Sequence, residues 1–439
     1  MQNQLGLRVW EASALPADWS TRSGALEDEM VENLDEKVET IVNAIKKEGD
    51  DALIRFTAEF DKARITTANL RVMRDEIEQA YLSVTEEQVT AIKMLKERVE
   101  CFEKALLKQN EVAFPEEGIT IQNMLYPIES VGCYVPGGQA AYPTTVVMTA
   151  TPAKVAGVPR VVVCSPPNEH GVVNPLVLVA ADICGVDEIF KVGGAQAIAA
   201  LAYGTESIQS VRKIFGPGSR YVTAAKKLVS KDVAIDMPAG PSEILVLADE
   251  TANPKFIAAD MISQAEHSED SVAGLITTSR NIANGVVDWL SKLITETERA
   301  TTVINALSKY GFVIFCETSE ELMTLANAFA PEHIEILTRC PIEIADKITT
   351  AGLILIGPYS PVSLSDYGSG TNHVLPTGGF AKVFSGLSAL DFSRRVSVVE
   401  CSRDGLLEFK NHIRVLTQAE GLPNHYKAVE ARFEDEHKM

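Results

Sequence analysis

The sequence predicts an α/β protein with two parallel-sheet lobes, Rossmann-like but incomplete, plus a small N-terminal arm and a helical C-terminal tail. Three observations predict it. The 439 residues are 46% hydrophobic, enough for more than one core. From residue 130 onward, short β-rich runs alternate with helical stretches, the pattern of right-handed βαβ units and a mostly parallel sheet. In one lobe, such runs end in glycine-rich turns, at Val135-Pro136-Gly137-Gly138, Val192-Gly193-Gly194-Ala195 and Phe215-Gly216-Pro217-Gly218.

Residues 1–24 carry no periodic pattern and read as an irregular arm. Val31, Leu34, Val38, Ile41, Val42 and Ile45 recur at helical spacing, which makes 28–48 an amphipathic helix. Gly49 ends it, and Asp50 is placed to cap the next helix, through Phe60. A charged helix covers 86–108. Strands are expected at 160–164, 188–192, 211–215 and 233–236, with an alanine-rich helix at 195–203 among them. Residues 131–135 look like a further buried strand. The pattern returns at 244–247, 274–277, 312–315 and 353–356, with a helix at 256–266. The last stretch of the chain is more polar and helical.

Composition narrows the function. The net charge of −20 repels phosphate backbones and anionic lipid, so nucleic acid and membrane surfaces are not expected partners. The seven cysteines are scattered without a CxxC pair, which fits a reducing cytoplasm and argues against a thiolate metal site. No apolar run approaches the length of a membrane span, and the N-terminus lacks the pattern of a signal peptide.

The polar signals are few. A strand that runs into a glycine turn and a helix N-terminus bares N–H groups suited to a phosphate. Any one such turn can be a plain chain reversal, and three in one lobe favour a nucleotide or other anion; the GxGxxG fingerprint is absent, so the spacing leaves NAD possible but not demonstrated. Gln264 and His267 are three apart and face nearly the same way at a helix end. That makes them either a metal-binding pair or a solvated terminus. Glu332 and His333 stand where a helix hands over to a strand. They can reach a cleft, the usual place for function in open α/β sheets, with His333 as proton acceptor, or they form an ordinary polar turn. The run from Ser365 to Gly379 packs Asp366, Asn372, His373 and several hydroxyls into a glycine-rich loop, a setting more common for binding than for stability. Cys133 beside the Gly137 turn is a candidate nucleophile for aldehyde oxidation, though its apolar neighbours favour a buried, inert thiol.

Taken together, the segments VGCYVPGG (131–138), VGGAQAIAALAYGT (192–205), IFGPG (214–218), DMPAGPSE (236–243), SQAEH (263–267), APEH (330–333), SGTNHVLPT (369–377) and EGLPNH (420–425) resemble the histidinol dehydrogenase family, in the family's order. The resemblance implies a soluble, cytoplasmic enzyme of histidine biosynthesis. It would oxidise L-histidinol through L-histidinal to L-histidine with two NAD⁺ and one Zn²⁺ per subunit. Gln264, His267, Asp366 and His425 would be the zinc ligands, and Glu332 and His333 the catalytic acid/base pair. Ser242, Glu420, His333 and the metal ligands would contact substrate. Tyr134, Gln196 and Ser219 would contact NAD, with Ser219 standing where the family usually has asparagine. His373 is read as a residue that orders its loop.

The resemblance further implies a homodimer with exchanged C-terminal tails, so that Glu420 and His425 complete the partner's site. It divides the chain into the arm (1–24), one lobe made of 25–130 and 238–380 with the zinc and catalytic residues, an NAD-binding lobe (131–237) and the tail (381–439). The alternatives are a related zinc/NAD dehydrogenase for another amino alcohol or small polyol, and a zinc-bound regulatory protein.

Overall fold

The computed structural model describes residues 5–17, 19–20, 28–110, 112–137, 141–237 and 240–433, the side chains of 28–33 and 112 excepted. Gly138 of the first glycine turn and the side chain of Val31 fall outside this set. The chain divides into two compact units, residues 1–104 with 128–392 and residues 105–127 with 393–439.

Strand β1 (Arg8–Glu11) comes first, then helices α1 (Asp28–Glu48), α2 (Asp50–Phe60), α3 (Arg74–Ser83) and α4 (Glu86–Gln109). After the hairpin β2 (Val112–Glu116) and β3 (Ile119–Pro127) comes the first βαβ series. It comprises β4 (Ser130–Tyr134), α5 (Pro143–Val155), β5 (Arg160–Ser165), α6 (Pro175–Ile183), β6 (Glu188–Lys191), α7 (Gly194–Tyr203), β7 (Lys213–Phe215), α8 (Arg220–Val229) and β8 (Ala234–Ile235). These strands form a parallel sheet in the order β6-β5-β4-β7-β8.

The second series begins with β9 (Glu243–Ala248), α9 (Pro254–Ala265), β10 (Val272–Thr277), α10 (Arg280–Leu293), α11 (Ala300–Tyr310) and β11 (Phe312–Phe315). It continues through α12 (Ser319–Phe329), β12 (His333–Leu337), α13 (Pro341–Ala345), β13 (Leu353–Ile356) and α14 (Val362–Tyr367). Its sheet runs β1-β11-β10-β9-β12-β13, parallel throughout. Leaving β1 aside, the two sheets share one order: out from a central first strand, then back across it. That is the doubly wound order short of its sixth strand, made twice. The two expected lobes are therefore present.

The sheets form because their strands are apolar on both faces. Val161, Val162, Val163, Ile244, Leu245, Val246 and Leu247 are all buried, as strands of parallel sheets must be. Each such side chain contributes about 1.5–3 kcal/mol of burial. Helix α7 is apolar nearly all round, and it is enclosed between its sheet and α1, α2 and α8.

Three features depart from the sequence reading. The arm is not irregular throughout: Arg8 to Glu11 pair with Phe312 to Phe315 as an edge strand, and Trp10 stacks on Phe312 at 6.2 Å. A four-residue strand is too short to show a period. The helices of residues 28–109, expected with 238–380, bury apolar faces against the five-stranded sheet. Val38, Ile41 and Ile45 of α1 bury against Val162 and Ile198, and Ile92, Leu95 and Val99 of α4 join Val131 and Val161. Periodicity shows that a helix buries a face, not which sheet receives it. Asp50 is the first residue of α2 rather than its cap; its N–H donates to Glu206 at 2.8 Å.

The second unit carries the expected helices, α15 (Arg403–Ala419) and α16 (Pro423–Glu430). They follow a nine-residue strand, β14 (Ser393–Cys401), which pairs antiparallel with β3, from Ser393 opposite Pro127 to Cys401 opposite Ile119. β2 completes this three-stranded sheet. Among the described residues no helix is long and apolar enough to cross a membrane.

Burial of one carboxyl gives the first unit a pH signature. Glu103 of α4 is fully buried, and its Oε2 accepts the Ala389 N–H at 2.7 Å. Burial pushes its pKa up to about 7. A carboxyl raised on folding favours the folded state fully below its unfolded pKa, and that stability is lost as pH rises through the folded value. The melting temperature should therefore fall between about pH 5 and about pH 8, and Glu103→Gln, which keeps the acceptor oxygen, should flatten that fall. Melting curves across this range decide it; parallel curves for both proteins would clear Glu103 of the role.

Candidate active site

The buried polar groups of the six-stranded sheet gather where β9 and β12 begin. Glu243 opens β9 and His333 opens β12, the latter in register with Ile244 on one side and Leu353 on the other. Open α/β sheets ordinarily bind ligands at the carboxyl ends of their strands. This cluster occupies the amino ends instead, which the sequence reading of a usual cleft did not anticipate.

Glu243 and Glu332 clasp each other reciprocally. The Glu243 N–H donates to Glu332 Oε2 at 2.7 Å, and the Glu332 N–H donates to Glu243 Oε2 at 3.3 Å. The other Glu243 oxygen accepts the Gly378 N–H at 2.9 Å. The Glu243 carbonyl lies 3.2 Å from His333 Nδ1. A carbonyl only accepts, so Nδ1 carries the hydrogen and Nε2 keeps its lone pair.

That Nε2 is buried without a partner, 4.0 Å from Asp366 Oδ1, which is also unpartnered. Asp366 lies in α14 and is buried; His373, on the loop beyond, places Nδ1 3.8 Å from the same Oδ1. Gln264 is buried in the last turn of α9, and its Oε1 is a third unpartnered atom. His267, just past that helix, is half-buried. A proton on its ring would oppose one on His333 or His373, so the three rings share one locality.

Burial sets the electrostatics. It pushes His333 down to about 3 and His373 to about 4, and it lowers His267. It pushes Asp366 up to about 7 and Glu332 well above the usual carboxylate range. The cluster is thus held close to neutral, rich in lone pairs and short of hydrogen-bond donors. Buried acceptors without donors are costly, and a cation is the ligand that satisfies them. The donors fit zinc, with imidazole nitrogen and carboxylate oxygen joined by an amide oxygen. Among the described residues no group of three or more His, Cys, Asp or Glu side chains is poised as a metal site. Of the four expected ligands only His267 and Asp366 are of those types in this unit. Gln264 is an amide, and His425 lies exposed on α16 of the second unit, as Glu420 does at the end of α15.

Ser242 precedes Glu243 and is half-buried, its carbonyl accepting the Val272 N–H at 2.9 Å. Glu243 and the closeness of His373 to Asp366 were missed in the sequence. The available signal was a glutamate at the head of an apolar strand, which must be paired or functional when buried.

The glycine turns stand at the carboxyl ends of the five-stranded sheet, after β4, β6 and β7. Tyr134 ends β4, and its hydroxyl accepts the Gly194 N–H at 3.1 Å. One N–H that the sequence offers to an anion is therefore already engaged. Gln196 is buried with both amide atoms unpartnered, whereas Ser219 is exposed at the start of α8. Gly216 has φ +111°, and a Cβ there would lie 2.2 Å from the Tyr134 carbonyl oxygen, so only glycine fits. The buried Lys226–Asp236 pair holds this turn: Lys226 Nζ donates to the Gly216 carbonyl at 2.9 Å and Asp236 accepts the Gly216 N–H at 2.8 Å. Beside Pro136 and Gly137 lies a cleft of about 390 Å³, lined also by Asp61, Ser165, Pro166 and Asn174.

Two doubly wound sheets, each short of its sixth strand, and a buried acid–imidazole cluster define an α/β enzyme, and comparison with known proteins identifies it as an oxidoreductase. The sequence profile of histidinol dehydrogenase matches residues 25–433. The histidinol dehydrogenase of Methanothermobacter thermautotrophicus is 43% identical over 398 residues, 91% of this chain and 93% of the relative. That of Archaeoglobus fulgidus is 45% identical over 399 residues, 91% of this chain and 95% of its own. The crystal structure of histidinol dehydrogenase from Elizabethkingia anophelis superposes with a TM-score of 0.91 at 38% identity, covering 98% of both chains. The chain belongs to the histidinol dehydrogenase family, as its motifs led us to expect.

Cys133 does not look like a nucleophile. It is fully buried in β4, and burial pushes its thiol up to about 12. Cys133→Ala should keep turnover within about twofold in a steady-state assay; a loss of orders of magnitude would restore the thiol route.

Proposed function

We propose that this chain is a zinc- and NAD-dependent dehydrogenase that oxidises L-histidinol through L-histidinal to L-histidine, with two NAD⁺ per substrate, as a cytoplasmic enzyme of histidine biosynthesis. The observation that carries the reading is the set of three unpartnered buried atoms, Gln264 Oε1, His333 Nε2 and Asp366 Oδ1, in a chain of this family. Gln264, His267, Asp366 and His425 would hold the zinc. When bound, it supplies a template for the amine and imidazole nitrogens of the substrate.

His333 does the proton work. Its Nε2 lone pair takes the hydroxyl proton as hydride leaves the carbinol carbon, and the Glu243 carbonyl steadies the ring as it becomes charged. Glu332 then takes a proton from water as it adds to the aldehyde and later releases it to solvent, while His333 returns its proton to the aldehyde oxygen; the freed Nε2 lone pair takes a proton from the hydrate as the second hydride leaves. With a divalent cation held here, the carboxyls of Glu332 and Asp366 would fall back toward their ordinary range, which would leave Glu332 able to act as a base. Ser242 and Glu420 would contact the substrate together with His333 and the metal ligands. NAD would bind at the carboxyl ends of the five-stranded sheet, where its strand order reverses, against Tyr134, Gln196 and the Ser219 turn.

L-Histidinol should yield two NADH per molecule. His333→Asn should cut turnover by ~10²–10⁴ with bound zinc unchanged. A single NADH would make the enzyme a simple amino-alcohol or polyol dehydrogenase, and near-normal turnover in the variant would remove His333 as the base.

The exposed tail carrying Glu420 and His425 supports a homodimer in which each tail serves the partner's site. Metal analysis should find about one zinc per chain, lost in His267→Ala and His425→Ala. Mixing inactive His333→Asn with inactive His425→Ala should restore up to about a quarter of normal activity, because one site of each mixed dimer then holds both native residues. No recovery on subunit exchange would count against the crossing.

A further inference from the structure

Beneath the site lies a second polar layer that the chemistry above does not use. Glu335 stands on β12 two residues after His333, so both side chains leave the same face of the strand. Asp260 is on α9 one turn before Gln264, and Val362 opens α14 one turn before Asp366. In βαβ units the helices run antiparallel to the strands. Four residues forward on a helix advance about 6 Å, and two residues back on a strand about 6.6 Å. Asp260, Glu335 and Val362 therefore repeat Gln264, His333 and Asp366 one step deeper.

The deeper layer is bonded through Glu335, which is 1% exposed. Its Oε1 accepts the Val362 N–H at 2.8 Å. The Asp260 side chain is its neighbour on α9, close enough for each carboxyl to bias the other's protonation. Glu335 Oε2 is buried without a hydrogen-bond partner, and no cation offsets either carboxyl among the described residues. We propose that Glu335 is a positioning residue: through the Val362 N–H and the Asp260 carboxyl it holds α14 and α9 at the height on β12 that delivers Asp366 and Gln264 to the site.

Two carboxylates have no donor between them, so the tie between these neighbours needs one proton, which the proposal places on Glu335 and gives to Asp260. Burial pushes Glu335 well above the carboxylate range and Asp260 to about 6, which agrees with that assignment. Glutamine reproduces the protonated state: its N–H replaces the acid proton and its oxygen still accepts from Val362. Leucine removes both bonds. Asp260 is half-buried, so Asp260→Ala breaks the pair without a large core void.

The metal readout rests on the zinc reading above. Zinc release from full-length enzyme to a chelator should be ~10–100-fold faster in Glu335→Leu and Asp260→Ala, with kcat reduced, while Glu335→Gln should stay within about twofold of wild type. Wild-type release from both of the first two variants overturns the proposal, as does a Glu335→Gln enzyme as leaky as Glu335→Leu, since that would mean the charge and not the bonds is needed. If wild-type protein holds no zinc, the functional reading fails separately. Amide exchange at Val362 in the metal-free protein then decides: faster exchange in Glu335→Leu, restored in Glu335→Gln, upholds the tie, and unchanged exchange overturns it.

Discussion

Glu243 commits its N–H, its carbonyl and both carboxylate oxygens to one small region at the head of β9. Its N–H and carboxylate clasp Glu332, its carbonyl orients His333, and its second oxygen holds the Gly378 turn. The pairing of β9 with β12 places these groups in register. A slip of one residue would turn His333 to the other face of the sheet. A buried carboxylate left without its donors costs about 1–3 kcal/mol or more. The site geometry and the strand register are therefore one constraint: disturbing either disturbs the other.

Both sheets have the same strand order, yet their polar groups sit at opposite ends. The five-stranded sheet carries its glycine turns at the carboxyl ends, as expected where a strand order reverses. The six-stranded sheet places its buried cluster at the amino ends. Helices there arrive with their C-termini, so Gln264 comes from a last turn, and Asp366 from the last turn of α14. C-terminal carbonyls favour positive charge. The end of the sheet that does not suit an anion is the end that suits a cation.

How much of this could be read in the sequence depended on the length scale. Strands such as Ile244–Leu247 announce themselves through unbroken apolar residues, and the helical spacing of Val38, Ile41 and Ile45 is just as plain. The partner of a helix face is not encoded locally, so α1 to α4 could be placed on a lobe only by their packing. β1 and β14 lacked a signal for different reasons. The first is too short for a period, and the second is largely exposed and holds Arg394, Arg395 and Glu400. Within the site, Gln264 and His267 remained ambiguous as a pair. His333, Asp366 and the order of the family motifs raised them to a metal site, and the orphaned Oε1 of Gln264 gives that choice a physical basis. Glu243 and Glu335 were invisible because nothing in a strand's sequence says which of its polar residues point inward.

The short β1 strand has a consequence for handling the protein. Phe312, Val313, Ile314 and Phe315 form a run of strong strand formers at the border of a sheet, and β1 is what occupies their outer hydrogen-bonding groups. A chain trimmed past Glu11 would present that border to other chains. The hazard would be self-association of otherwise well-folded molecules, and a tag that pulled on the arm would invite the same result. Four residues remote from the chemistry thus guard the solubility of the whole.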